Sequence, residues 1–275
     1  MRRSVLAALL LLLVPASAAG AAENDPQAQA LDTQMGKAFF AMAKAFYENA
    51  EQLESDAQGM GKTISSIVNA ACFVTLAPVI IPLIASRFAQ THPESRLSFV
   101  EGHQAWVLGA LRDGIVQIAF TYKFGMGRDL VFEPLGEVEP YCILPKDHRL
   151  AGAEAIDLKE ISGDPMILLD LPKSGEYYLS LFDIAQINPR ITHRTTSPEV
   201  ARAMVAHGLG FSILAMPTRH TFAIDGSEFA VRPLAGDLPN LCVGMLATAE
   251  TASSHTYDCV RRVAKAALAH LLLPV

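Results

Sequence analysis

The chain has no surplus of positive charge. Its 275 residues carry 22 lysines and arginines against 28 aspartates and glutamates, a formal net charge of -6. That excludes a large unspecific nucleic-acid surface, whose affinity comes from cations neutralising phosphates, although a local basic patch stays open. Cysteine is scarce. Cys72, Cys142, Cys242 and Cys259 form no C-x-x-C pair, so a zinc or dithiol redox motif has no support. Their long, irregular spacing reads as small buried hydrophobes; a disulfide in an exported protein is the alternative. No G-x-S-x-G, H-E-x-x-H or Walker-type glycine-lysine motif occurs, which removes the commonest hydrolase, metalloprotease and nucleotidase signatures. "GMGRD" lacks the third glycine of a dinucleotide fingerprint. Asp147 and His148 in "PKDHRLAG" invite an acid–base reading. No catalysis and no cofactor are expected. No later segment reaches the roughly 20 apolar residues of a membrane span.

Hydrophobic residues make up 51% of the chain, so disorder is not its main state. The opening 1–22 has the build of a secretory signal: Arg2 and Arg3, an apolar run to Val14, then Ala16-Ser17-Ala18 and Ala19-Gly20-Ala21 as small-residue cleavage sites. Chance Ala/Leu richness would give the same look. A helix is expected over Thr33–Ala57. Phe39, Met42, Ala43, Phe46, Ala50 and Leu53 recur at three- and four-residue steps and form one stripe. Such a stripe must be covered, either by its own domain or by a second copy.

From Lys62 the pattern alternates. Strand-like "TISSIVNAA" leads through "CFVTLAP" to a helix with Ile80, Ile81, Ile84 and Phe88 on one face. A strand at "RLSFV", a turn at Glu101-Gly102, a helix through Val107, Leu108 and Leu111, and a strand at "VQIAF" follow. "YCILP", "PMILL", "RITHR", "FSILA", "FAVRPL" and "LCVGMLA" read as further strands, with helices between and a terminal helix over Ser253–Leu272. Strands alternating with helices imply parallel βαβ units. Two α/β halves, with a final helix left to return to the first, predict a two-lobed protein that binds its ligand in the cleft.

The ordered set "CFVTLAPVIIPLIASRFAQTHPESRLSFVEGHQ", "LRDGIVQIAFTY", "EPLGEVEPYCILPKDHRLAG", "ILLDLPKSGEYYLSLF", "ITHRTTSPEVARAMVAHGLGFSIL" and "VRPLAGDLPN" resembles the effector (substrate-binding) domain of LysR-type transcriptional regulators. The resemblance covers roughly residues 61–247. It implies an α/β, two-lobed fold like the type 2 periplasmic binding proteins, with two crossover strands, preceded by a long amphipathic helix. The expected layout is a linker and dimerisation helix at 33–58, lobe I at 62–121 plus 249–275, and lobe II at 122–248. A full regulator of this type carries a winged helix-turn-helix of about 60 residues before the linker. The thirty or so residues preceding it here show no such pattern, so the resemblance implies ligand sensing and dimerisation, not DNA binding by this chain.

The resemblance also points to three cleft segments. Phe73, Thr75 and Leu76 lie between a strand and a helix start, where free N–H groups attract anions; Thr75 could equally just cap the helix. Thr121 and Tyr122 end a strand where the first crossover should begin, followed by Lys123 where the related pattern often has an acid. Thr196 and Ser197 precede Pro198 and Glu199 at a standard helix start. Ser174 and Tyr177 are further lining candidates; His103 and His207 are rim contacts or plain caps. Converging helix starts and hydroxyls favour a small carboxylate or other anion. Two roles follow. One is a cytoplasmic, truncated regulator that binds an effector and pairs as a homodimer or with a full-length regulator. The other is an exported periplasmic solute-binding protein.

Overall fold

A computed structural model describes residues 67–216 and 220–273. The signal-like segment 1–22 and the helix expected within 33–58 lie outside the described residues.

The first sheet is built from both ends of the described chain. Its strands are β1 (Ile67–Phe73), β2 (Arg96–Gly102), β3 (Ile118–Tyr122), β4 (Leu130–Val138) and β10 (Leu241–Thr248). They lie in the order β2-β1-β3-β10-β4. β2 and β3 run parallel to β1, while β10 is antiparallel to β3 and β4. Parallel strands need crossover helices, and these cover both faces. The pleat sorts the residues. Val68, Ala70 and Cys72 of β1 join the core that holds Ile80, Ile84 and Phe88 of α1 (Ala77–Thr91). Ala71 faces the other way, to Val107, Leu108 and Leu111 of α2 (Gln104–Arg112). The chain's end returns to this lobe as α6 (Ala249–Ala252) and α7 (His255–Leu268). The terminal helix expected over Ser253–Leu272 is α7, with the short α6 ahead of it, and Ser254 caps α7 by accepting from the Tyr257 N–H at 3.1 Å.

The second lobe centres on β5 (Tyr141–Pro145), flanked antiparallel by β8 (Ser212–Leu214) and β9 (Phe229–Pro233). β6 (Pro165–Leu169) pairs parallel with β7 (Arg190–Thr195) and joins β8 through a bridge between Met166 and Phe211. The short α3 (Leu158–Ile161) precedes β6, α4 (Ser174–Ile184) follows it, and α5 (Pro198–Ala206) follows β7. The fold is therefore the two-lobed α/β fold that the alternation predicts, and the chain crosses between lobes twice.

Two expectations need correction, and the disulfide alternative falls away. Residues 122–248 do not all belong to lobe II: β4 and β10 hydrogen-bond with β3's sheet, so the crossings fall at Glu139–Pro140 and at 234–240. Glu101 and Gly102 are no turn but the last residues of β2, paired with Cys72 and Phe73. No disulfide forms: all four cysteines are free, three of them buried.

Candidate functional site

The carboxyl end of β1 delivers the first group. Phe73 is fully buried, and Val74 is tied to the end of β2 through Gly102 O at 3.0 Å. α1 then starts with Leu76 as its N-cap residue and no side-chain cap. Thr75 therefore does not cap. Its hydroxyl donates instead to the Tyr122 hydroxyl at 3.4 Å. Leu76 is a core residue with no exposure, so only its backbone faces the turn.

Tyr122, at the end of β3, meets Phe73 edge-on, with centroids 5.6 Å apart, and packs on Phe124 at 5.5 Å. Burial pushes its phenol well above the ordinary tyrosine range, so it stays a neutral donor and acceptor. Thr121 is fully buried and already engaged: its hydroxyl donates to Gln104 Oε1, while Gln104 Nε2 donates to Phe124 O at 2.8 Å. Gln104 was missed in the sequence. Its signal was there, because it occupies the first position of the stripe Gln104, Val107, Leu108, Leu111, where an apolar residue would fit the period.

Lobe II contributes α4. Lys173 precedes it with φ of 70°, and Ser174 is buried. Tyr177 packs its ring toward Phe124 at 6.3 Å and donates its hydroxyl to Pro239 O at 2.7 Å. Tyr178 is buried behind it, ring to ring at 5.3 Å. Burial raises both phenols. Phe73, Thr75, Tyr122 and Tyr177 thus join one aromatic and hydroxyl group, bridged by Phe124. Thr196 is exposed, and Ser197 caps α5 by accepting from Val200 N–H at 3.4 Å. Among the described residues, no hydrogen bond or ring contact links Thr196 or Ser197 to lobe I.

The helix starts offer fewer amides than their number suggests. Pro78 and Pro198 carry no N–H, the Val79 and Ile80 amides bond Leu76 O, and the Val200 amide bonds Ser197. A different cation donor lies on α5. Arg202, whose side chain is 13% exposed, pairs with Glu199 through Nη1 and reaches the Tyr141 hydroxyl at 3.5 Å through Nη2; its buried Nε has no partner. Tyr141 in turn donates to Met216 O at 2.8 Å.

The remaining polar candidates have plain roles. His103 caps α2, accepting from Trp106 N–H at 3.3 Å. His207 pairs with Asp225 at 2.7 Å on the surface. Lys123 is exposed. His148 bonds Asp164 at 3.1 Å, not its neighbour Asp147, and Arg149 shares that carboxylate at 2.9 Å. A cavity of about 280 Å³ lies beside the first crossing, walled by Pro140, Tyr141, Val231, Pro233, Leu271 and Leu273.

Residues 63–269 match the sequence family described as the LysR substrate binding domain. The chain is 28% identical over 186 residues to the HTH-type transcriptional regulator YybE of Bacillus subtilis, covering 66% of this chain and 62% of YybE. It is 24% identical over 189 residues to the regulator CysB of Haemophilus influenzae, covering 66% and 57%. It thus spans less than two thirds of these relatives. Among solved structures, HinK, a LysR family regulator from Pseudomonas aeruginosa, superposes with a TM-score of 0.73 at 26% identity, covering 85% of this chain and 80% of HinK.

Proposed function

Because the chain belongs to the LysR substrate-binding-domain family, whose members bind small-molecule effectors, we propose that it binds a small organic anion between its lobes and signals through a paired subunit. The observation that supports this is the run of hydroxyls and rings between the lobes: Thr75 bonds Tyr122, Tyr122 packs on Phe124, and Phe124 meets Tyr177 of lobe II, whose hydroxyl bonds Pro239 O in the second crossing. Hydroxyls and aromatic walls with a few aimed polar groups are the usual build of a small-molecule site. The helix expected within 33–58 is the segment that would pair the chain with a copy of itself or with a full-length regulator. Its relatives are transcriptional regulators, and a sensing role needs no catalytic group.

The test is thermal unfolding of the purified chain against a library of small acids and matched neutral compounds. A ligand at about 100 times its Kd should add about 2.7 kcal/mol of stability. Stabilising acids whose effect is lost in Thr75→Ala and Tyr122→Ala support the reading. Stabilisation by neutral compounds alone removes the anion, and no stabilisation by any compound removes the sensor.

A further inference from the structure

Arg202 is short of partners. A guanidinium offers five N–H donors, and this one is nearly buried. Glu199 takes the Nη1 side. On the opposite edge, Nε–H is buried without an acceptor, and Nη2 has only the Tyr141 hydroxyl at 3.5 Å, the outer limit of a hydrogen bond. A buried cation left unsatisfied is costly and calls for an explanation. Nε and Nη2 are the two parallel donors that a carboxylate accepts from side-on.

The position fits the cleft. Arg202 stands on α5, whose start at Ser197 is one of the segments that the sequence points to as a cleft wall. Tyr141, which it approaches, is the first residue of β5, just past the Glu139–Pro140 crossing. The unfilled edge of Arg202 therefore lies against Tyr141, beside the first crossing. Glu199, 46% exposed, holds the guanidinium from its other end.

We propose that the Nε–Nη2 edge of Arg202 is the carboxylate anchor of the interlobe site, with Glu199 as the positioning residue and the neighbouring Tyr141 ring selecting a planar acid. This rests on the small-molecule reading above. Lysine keeps the charge but not the fork, so the pairing should be lost in Arg202→Lys as well as in Arg202→Gln.

The experiment is calorimetric titration of the full chain and its Arg202→Lys, Arg202→Gln and Glu199→Gln variants with benzoate, benzamide, acetate and acetamide. Circular dichroism checks that each variant is folded. In the wild type, benzoate should bind roughly tenfold or more tighter than benzamide, and tighter than acetate. Both Arg202 variants should bring the benzoate-to-benzamide ratio close to one with benzamide binding unchanged. Glu199→Gln, which keeps the arginine but removes the charge that holds it in place, should lower the ratio without bringing it to one. If Arg202 were a structural strut, its variants would lose stability and leave the ratio alone; that result overturns the proposal. So does wild-type binding that treats acid and amide alike, or that takes neither. A neutral library compound whose binding ignores Arg202 would keep the small-molecule sensor while removing this anchor.

Discussion

Gln104 shows how much one buried amide can organise. Its oxygen accepts from Thr121 and its nitrogen donates to Phe124 O, so the end of β3 and the aromatic bridge are fixed together. Gln104→Leu would fill the space and strand both partners. Each buried group left unpaired costs about 1–3 kcal/mol, so the urea midpoint should fall by that order; an unchanged midpoint would show that the pair adds nothing. The tyrosines give a pH signature. Burial raises the phenols of Tyr122, Tyr177 and Tyr178, and pushes that of Tyr257 up to about 12. An unfolded tyrosine loses its proton near pH ~10. Above that pH the unfolded chain has shed protons that the folded chain retains, so stability is intact below it and falls as pH rises through it. Tyrosinate absorbance should therefore rise steeply together with loss of the circular dichroism signal. Gradual ionisation of a chain that stays folded would contradict the burial argument. At this scale the sequence placed Thr75, Thr121 and Tyr122 at the correct strand ends, but not their roles. Thr121 turned out to be committed to Gln104 and Thr75 to Tyr122, because partners 17 and 47 residues away decide what a hydroxyl does. Arg202 was hidden for the same reason: on sequence it is one polar residue on an exposed helix, and only Tyr141, 61 residues earlier, draws it inward.

The elements that periodicity could read were the ones whose neighbours agree with it. α1 and α5 begin where proline and the local pattern place them, and Ser197 caps α5 as expected. Ser197→Ala should cost about 1 kcal/mol, read as a lower thermal midpoint that Ser197→Asp restores; equal midpoints for all three chains would mean that the cap is idle. β4 was illegible because its sequence, LVFEPLGEV, interrupts the alternation with Pro134 and Gly136. The structure accommodates them with a register shift: Val243 of β10 faces Gly136, while the next residue, Gly244, faces Pro134. Gly244 leaves no space for a side chain, since a Cβ there would run into the Phe132 ring and the Glu133 carbonyl. Gly244→Ala must push β4 away from β10, and overpacking of this kind costs about 1–3 kcal/mol. Unfolding of that variant with the wild-type midpoint would show that β4 gives way freely. The misplaced lobe boundary has the same root, because without β4 nothing in the sequence says that β10 has an outer partner in lobe I.

At the scale of the whole molecule, the question is what holds the two lobes together. Two crossings, at Glu139–Pro140 and at 234–240, leave the lobes free to hinge unless other contacts restrain them. Tyr177 supplies such contacts from α4 in lobe II. Its ring meets Phe124, in the stretch between β3 and β4 of lobe I, and its hydroxyl holds Pro239 O in the second crossing. Phe124 is itself held to α2 by Gln104, so the restraint runs from one lobe's helix to the other's. Removing the ring removes both contacts; removing only the hydroxyl leaves the aromatic one. Small-angle scattering of the ligand-free chain should therefore give a larger radius of gyration for Tyr177→Ala than for the wild type, with Tyr177→Phe between them. The Phe variant also tests the partition. If it opens as far as the Ala variant, the bond to Pro239 is the dominant restraint, since a neutral hydrogen bond and an aromatic pair are each worth about 1 kcal/mol and neither is favoured in advance. If both variants scatter like the wild type, the lobes are held by the packing around the crossings themselves, and Tyr177 is a wall of the cleft and not its clasp.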